Sequence, residues 1–251
     1  TAPYPGAAAG ESARFDGNGG GNTTIDLSGL PSISRIDFDS AAAAAYTLGA
    51  GGPNAQTLVL ENSGVIAVSK DVSAAPTIPA SVVLGTTRAS ATYTVTNNTP
   101  GYVLTLSGSV SGAPSGGTAG AKTLNLSGVG SIVLSGVLSN GGATGITLNS
   151  YGTNTLSGHN TFSENITVTG GTQAILVEAD DVWIDLNGFT LRGNTNALDG
   201  VFQDAGYDRL TVANGTLAGW SRSGYSAILA LGDDLVVENC RFVGVRNGVW
   251  G

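Results

Sequence analysis

The side chains best suited to chemistry in this sequence are acids that come in pairs. Asp180-Asp181 and Asp233-Asp234 each precede a strand-like run, at corresponding places of two repeats. Neighbouring carboxylates can hold a calcium ion through oxygen ligands, or divide acid and base roles in cleaving a glycosidic bond. They can equally start a turn, because Asp accepts hydrogen bonds from nearby backbone N–H groups. Recurrence at equivalent places favours the turn, since catalytic groups have no need to repeat. Glu178, Asp185 and Glu238 fall on or beside strand faces, with Arg192, Arg209, Arg222, Arg241 and Arg246 in the same half. A lyase or hydrolase acting on a polysaccharide would need such acids and cations to converge in one groove. Strand alternation instead turns Arg192 and Arg241 to solvent, where ion pairs between repeats contribute little.

The other reactive types are sparse. His159 is the only histidine, in Ser157-Gly158-His159-Asn160-Thr161, so neither a triad nor a metal set can form around it; it reads as a turn residue. Cys240 is the only cysteine, which excludes an intrachain disulfide, and its strand phase matches that of Phe242. The clusters Gly17–Gly21, Gly49–Gly52 and Gly116-Gly117 lack the following helix and the Lys-Ser/Thr pair of a phosphate loop. No catalytic, metal or cofactor-binding residue is assigned, and no cofactor is expected. Trp183, Trp220, Trp250 and Tyr225 are candidate contact or glycan-binding aromatics, since an exposed ring can stack on a sugar. Alternation places Val182, Ile184 and Leu186 on one face, and Trp183 with Asp185 on the other. The apolar trio should take the core, leaving Trp183 outside.

What must position these residues is a chain of short strands. Period-2 alternation recurs at Thr24–Leu27, Thr57–Leu60, Tyr102–Leu106, Lys122–Leu126, Asn165–Val168, Val182–Leu186 and Leu235–Glu238, each bounded by Gly, Asn or Ser. The Ala41–Ala45 run has no apolar face and reads as a loop. Gly accounts for 39 of 251 residues, charged residues for only 11%, and hydrophobic residues for 41%. Solubility must therefore rest on Ser, Thr, Asn and exposed backbone. A net charge of −8 argues against nucleic acid and anionic membrane surfaces as partners. No apolar run is long enough for a spanning helix, so no membrane insertion is expected of this segment.

Repeats organise the strands. Leu-Ser-Gly occurs at Leu27, Leu106, Leu126, Leu134 and Leu156. The intervals Leu106 to Leu126 and Leu134 to Leu156 suit one coil of a three-sided β-helix, with a glycine of positive φ after each Ser. A second register runs through the last third, where Gly193, Gly219 and Gly244 close equivalent phrases. In that register Asn187, Asn214 and Asn239 fall at one corner of successive coils, a structural Asn corner where amides could stack. The expected architecture is all-β, a right-handed parallel β-helix (β-solenoid) with a less regular N-terminal β-rich region. Its parts are an N-terminal extension over 1–22, irregular solenoid over 23–152 and regular coils over 153–251.

Residues 153–170, Thr-Asn-Thr-Leu-Ser-Gly-His-Asn-Thr-Phe-Ser-Glu-Asn-Ile-Thr-Val-Thr-Gly, resemble the autotransporter-associated β-strand repeat. Upstream, Ala13-Arg14-Phe15, Ile36-Asp37-Phe38-Asp39-Ser40 and Tyr46-Thr47-Leu48 follow the order of long bacterial surface proteins carrying that repeat. Residues 174–251 are similar to the pectate-lyase-like right-handed β-helix superfamily, through the phrase from Ala174 by Asp180-Asp181 to Asn187-Gly188. These resemblances imply architecture more than activity, because the fold hosts lyases, hydrolases, adhesins and spacers. The expectation is an extracellular structural subunit of a bacterial surface layer or fibre, not an enzyme, with a glycan-binding adhesin and a polysaccharide lyase or hydrolase as alternatives. Neither Thr1–Gly10 nor Val249-Trp250-Gly251 resembles a cap. Since open strand edges template pairing, the expected partner is a further copy, joined head-to-tail, with surface polysaccharide second.

Overall fold

A computed structural model of the chain describes residues 5–27, 29, 31–150, 154–156, 160–161, 166–168, 174–177, 180–186, 188–193 and 198–251. Among them the regular elements are strands, apart from two short 3-10 turns at Gly19–Gly21 and Gly52–Asn54. Neighbouring strands run parallel and lie about one coil apart in sequence, so the chain is an all-β parallel β-solenoid. It divides into two compact units, residues 1–147 with 153–163, and residues 148–152 with 164–251.

In the first unit, one six-stranded sheet is formed by Thr24–Ile25, Thr47–Leu48, Thr77–Ile78, Val103–Leu106, Ser131–Leu134 and Asn154–Leu156. Register places Thr24, Thr47, Thr77, Thr105, Val133 and Thr155 side by side, in steps of 23, 30, 28, 28 and 22 residues. These residues point outward; the next residue in each strand points in, and Leu48, Ile78, Leu106 and Leu134 are almost wholly buried. A second face stacks Ile36, Ile66, Val95 and Leu126, and a third stacks Leu58, Val82, Val110 and Leu138. None of these eight side chains is more than 2% exposed. Each such burial is worth about 1.5–3 kcal/mol, and β-branched side chains suit the pleated surface that provides it. At the first coils Phe15 stacks on Phe38 at 5.2 Å between ring centres and tilts against Tyr46 at 4.7 Å.

Corners are sealed by polar side chains turned inward. Asn97, 1% exposed, donates through Nδ2 to the carbonyls of Tyr102 and Ser131, both at 2.8 Å, and accepts from the Thr99 N–H at 3.2 Å. Asn97 begins a glycosylation sequon, and its burial leaves the amide no room for a sugar.

The Leu-Ser-Gly spacing requires a correction. Leu134 and Leu156 are neighbours on successive coils, as their interval of 22 suggests. Leu106, however, lies beside Leu134, 28 residues on, while Leu126 pairs with Val95 on another face. The 20-residue interval from Leu106 to Leu126 is therefore a passage between faces of one coil. The glycines also differ in role. Gly128 has φ of +108°, the conformation expected of a corner glycine. Gly108 and Gly136 lack positive φ and are required by close approach: a Cβ would meet the Ala80 carbonyl oxygen or the Gly108 carbonyl oxygen at 2.1 Å.

In the second unit, Ile175–Val177, Val201–Gln203, Ile228–Ala230 and Val249–Trp250 form a four-stranded sheet. Trp183–Asp185 lies beside the first half of Thr211–Ala218, Thr190–Arg192 beside its second half, and Val236–Val243 along its other edge. The core gathers Leu191, Val201, Leu210, Val212, Leu217 and Trp220, with Val182, Ile184, Cys240 and Phe242 packed against it.

Candidate functional site

Among the described residues, the corner before Trp183–Asp185 brings together several acids and an arginine. Trp183, Thr211 and Val236 share a rung position, which brings Asp180, Asp208 and Asp233 into one column three residues earlier. The Asp180 carboxylate accepts the Asp208 backbone N–H at 2.9 Å, and the Asp208 carboxylate accepts that of Asp233 at 3.0 Å. Next in each coil stand Asp181, Arg209 and Asp234, with φ of 57°, 60° and 61°. Asp tolerates this left-handed turn better than most residues, whereas Arg209 is held there by its coil neighbours. Arg209 grips Asp181 with two nitrogens, Nη2 to Oδ2 at 2.9 Å and Nε to Oδ1 at 2.5 Å. That pairing lowers the Asp181 carboxyl below its ordinary pKa and raises the Arg209 guanidinium. Asp208 was not apparent in the sequence as a member of this set, because Arg209 replaces the second Asp of the pair. Its signal is position: Asp208 precedes Leu210-Thr211 by the same offset as Asp233 precedes Leu235-Val236.

The neighbouring corner holds the asparagines. Asn214 and Asn239 have φ of 57° and 50°. Asn239 donates to the Asn214 amide oxygen at 3.2 Å, and Asn214 donates to Asp185 Oδ1 at 3.2 Å. Asn187, placed by the sequence at this corner, lies outside the described residues, as do Glu178 and His159. Arg192 and Arg241 stand beside Ala218 and Thr216. The inter-coil ion pair that the described residues show in this half is Arg209–Asp181 instead. Arg222 lies over the Tyr225 ring at 5.0 Å. Cys240 is half-buried and its thiol points to the Val212 carbonyl at 3.5 Å; burial pushes its pKa up, away from the reactive thiolate.

The aromatic candidates separate. Trp183 and Trp250 are 68% and 64% exposed, whereas Trp220 is 1% exposed and packs against Gly193 and Gly200. Trp220 is thus corrected from a surface candidate to a core residue; it follows the corner Gly219, where strand alternation gives no guidance. Tyr225 is half-buried. Trp250 belongs to an outward column that alternation within single strands did not bring together: Leu176, Phe202, Leu229 and Trp250 occupy one rung position on the four-stranded sheet.

Two further features of the first unit were missed. Lys122 has no exposed surface, and its ammonium donates to the carbonyls of Thr87, at 2.8 Å, and Ala89. It lies 5.6 Å from the centre of the buried Tyr93 ring. The signal was its phase, shared with Leu124 and Leu126. An apolar cavity of about 520 Å³ is lined by Phe15, Ile25, Ile33, Ile36, Leu48 and Leu58 among others. Comparison with known proteins finds no matching family model, and no curated protein or solved structure with significant similarity.

Proposed function

We propose that the chain is an extracellular structural solenoid, part of a bacterial surface layer or fibre, and that it performs no catalysis. One observation carries this reading: the residues that could do chemistry at the corner act as ties between coils. Asp180 and Asp208 each accept a backbone N–H from the next coil, Arg209 clamps Asp181, and Asn239 bonds Asn214. Carboxylates engaged in this way support a repeating scaffold better than an acid–base pair, which needs its two groups in different environments. The resemblance of residues 153–170 to the autotransporter-associated repeat of bacterial surface proteins supports the same setting. Parallel coils also offer a mode of assembly, because each strand edge repeats the one before and can template a further copy head-to-tail. Electron microscopy of the native surface, with antibody labelling of this chain, tests the proposal; layers or filaments carrying label are expected. A monomer confined to the cell interior, or release of unsaturated or reducing sugars from polysaccharide by the pure protein, would overturn it.

Adhesion to a glycan is the second reading, favoured by the outward column ending in Trp250 and by the exposed Trp183. A glycan-array signal abolished by Trp250→Ala or Trp183→Ala would establish it.

A further inference from the structure

The outer column of the six-stranded sheet has a regularity that a scaffold does not require. Thr24, Thr47, Thr77, Thr105 and Thr155 occupy one rung position, and Val133, similar to Thr in shape, fills the remaining place. Two other outward columns of this unit are mixed, one of Arg35, Val65, Thr94 and Asn125 and one of Asp37, Ala67, Thr96 and Ser127, while Thr57, Ser81 and Ser109 make a shorter hydroxyl column on the third face. Two residues to either side of Thr47, Thr77, Thr105 and Val133 the chain places Ala45, Gly49, Ala75, Pro79, Val103, Ser107, Ser131 and Ser135, none of them charged, whereas Asp26 takes that place after Thr24. In a molecule of net charge −8, Asp26 beside the first rung is the carboxylate nearest this array in sequence.

Three properties define what such a face can recognise. Its rungs recur at the strand spacing, about 4.8 Å. Its side chains are β-branched, so each hydroxyl and methyl is held in a restricted rotamer before any ligand arrives. Adjacent rungs are close enough for the Thr47 and Thr77 hydroxyls to lie 3.3 Å apart. An aperiodic partner gains nothing from a one-dimensional lattice, whereas a partner with the same repeat gains at every rung. Water oxygens in hexagonal ice repeat along the a axis at close to the strand spacing. A neutral surface of hydroxyls and methyls can join that lattice by hydrogen bonds and by filling its voids, where charged side chains would impose their own hydration.

We propose that the Thr24–Thr155 column is an ice-binding face, whose ligand is crystalline water. The inference is independent of the structural role proposed above. Thermal hysteresis and ice-crystal shape, measured for the intact chain by nanolitre osmometry, test it. The unmodified chain is expected to open a gap between melting and freezing points and to facet the crystals. Thr77→Lys with Thr105→Lys should abolish both while far-UV circular dichroism stays unchanged, and Thr92→Lys, on a different sheet, should abolish neither. Should the double variant fail to fold, the uncharged Thr77→Tyr serves the same purpose. Absence of hysteresis and faceting in the unmodified chain would overturn the proposal. So would an equal loss from Thr92→Lys, or retention on powdered cellulose or chitin without any effect on ice.

Discussion

At the scale of the residue, Lys122 and Tyr93 show how a polar group is kept inside a solenoid. Burial lowers the Lys122 amine below its ordinary pKa and raises the Tyr93 phenol to about 12. The ammonium is nevertheless held by the Thr87 and Ala89 carbonyls. Lys122→Met should therefore cost about 1–3 kcal/mol in urea unfolding, the penalty of leaving buried acceptors unmade. For Tyr93 the folded pKa lies above the unfolded one, so its contribution is complete below pH 10 and is lost as pH rises through about 12. Tyr93→Phe should remove that alkaline loss, read from thermal melts between these limits. Asp199, 2% exposed, is shifted upward by burial although its carboxylate accepts the Ser226 N–H at 2.7 Å. Its ionised form is thus penalised in the fold. Asp199→Asn should melt higher than the unmodified chain at pH 7, with the difference closing as acidification protonates Asp199.

At the scale of the element, the corners set the tolerances. Gly136 faces the Gly108 carbonyl oxygen, and Gly108 faces that of Ala80. Gly136→Ala should destabilise by about 1–3 kcal/mol in chemical denaturation, through backbone displacement, while retaining the fold. The strands themselves were legible because alternation is local: the runs at Lys122–Leu126 and Leu235–Glu238 lie within Ala121–Ser127 and Val236–Val243 to within a residue. Which strands become neighbours was not legible, since turn length decides it and the coil step in one sheet ranges from 22 to 30 residues. Leu-Ser-Gly marks corners on more than one face, so its spacing misassigned Leu126. In the second unit, where Gly193, Gly219 and Gly244 recur with little variation, sequence phase and structural register agree. The site followed the same division. Asp180 and Asp233 were recognisable as equivalent, whereas Asp208 and the column from Leu176 to Trp250 depend on register across coils.

At the scale of the whole molecule, stability should accumulate coil by coil, because each coil meets only its neighbours. All three tryptophans belong to the second unit, so their fluorescence reports on that unit alone. Leu104→Ala, at a site with no exposed surface in the first unit, should cost about 2–5 kcal/mol there. Its far-UV circular dichroism transition should move to lower denaturant by more than its tryptophan transition. Coincident shifts of the two signals would show a single cooperative unit instead.

The caged ammonium of Lys122 has a practical consequence. The chain contains two lysines, and the other, Lys70, has a side chain 76% exposed. Amine-reactive crosslinkers and fluorophores should therefore distinguish the two, modifying Lys70 and sparing Lys122 for as long as the coils stay closed. Immobilisation through Lys70 would present every molecule to an analyte in one orientation, and delayed labelling of Lys122 would time the opening of its coil.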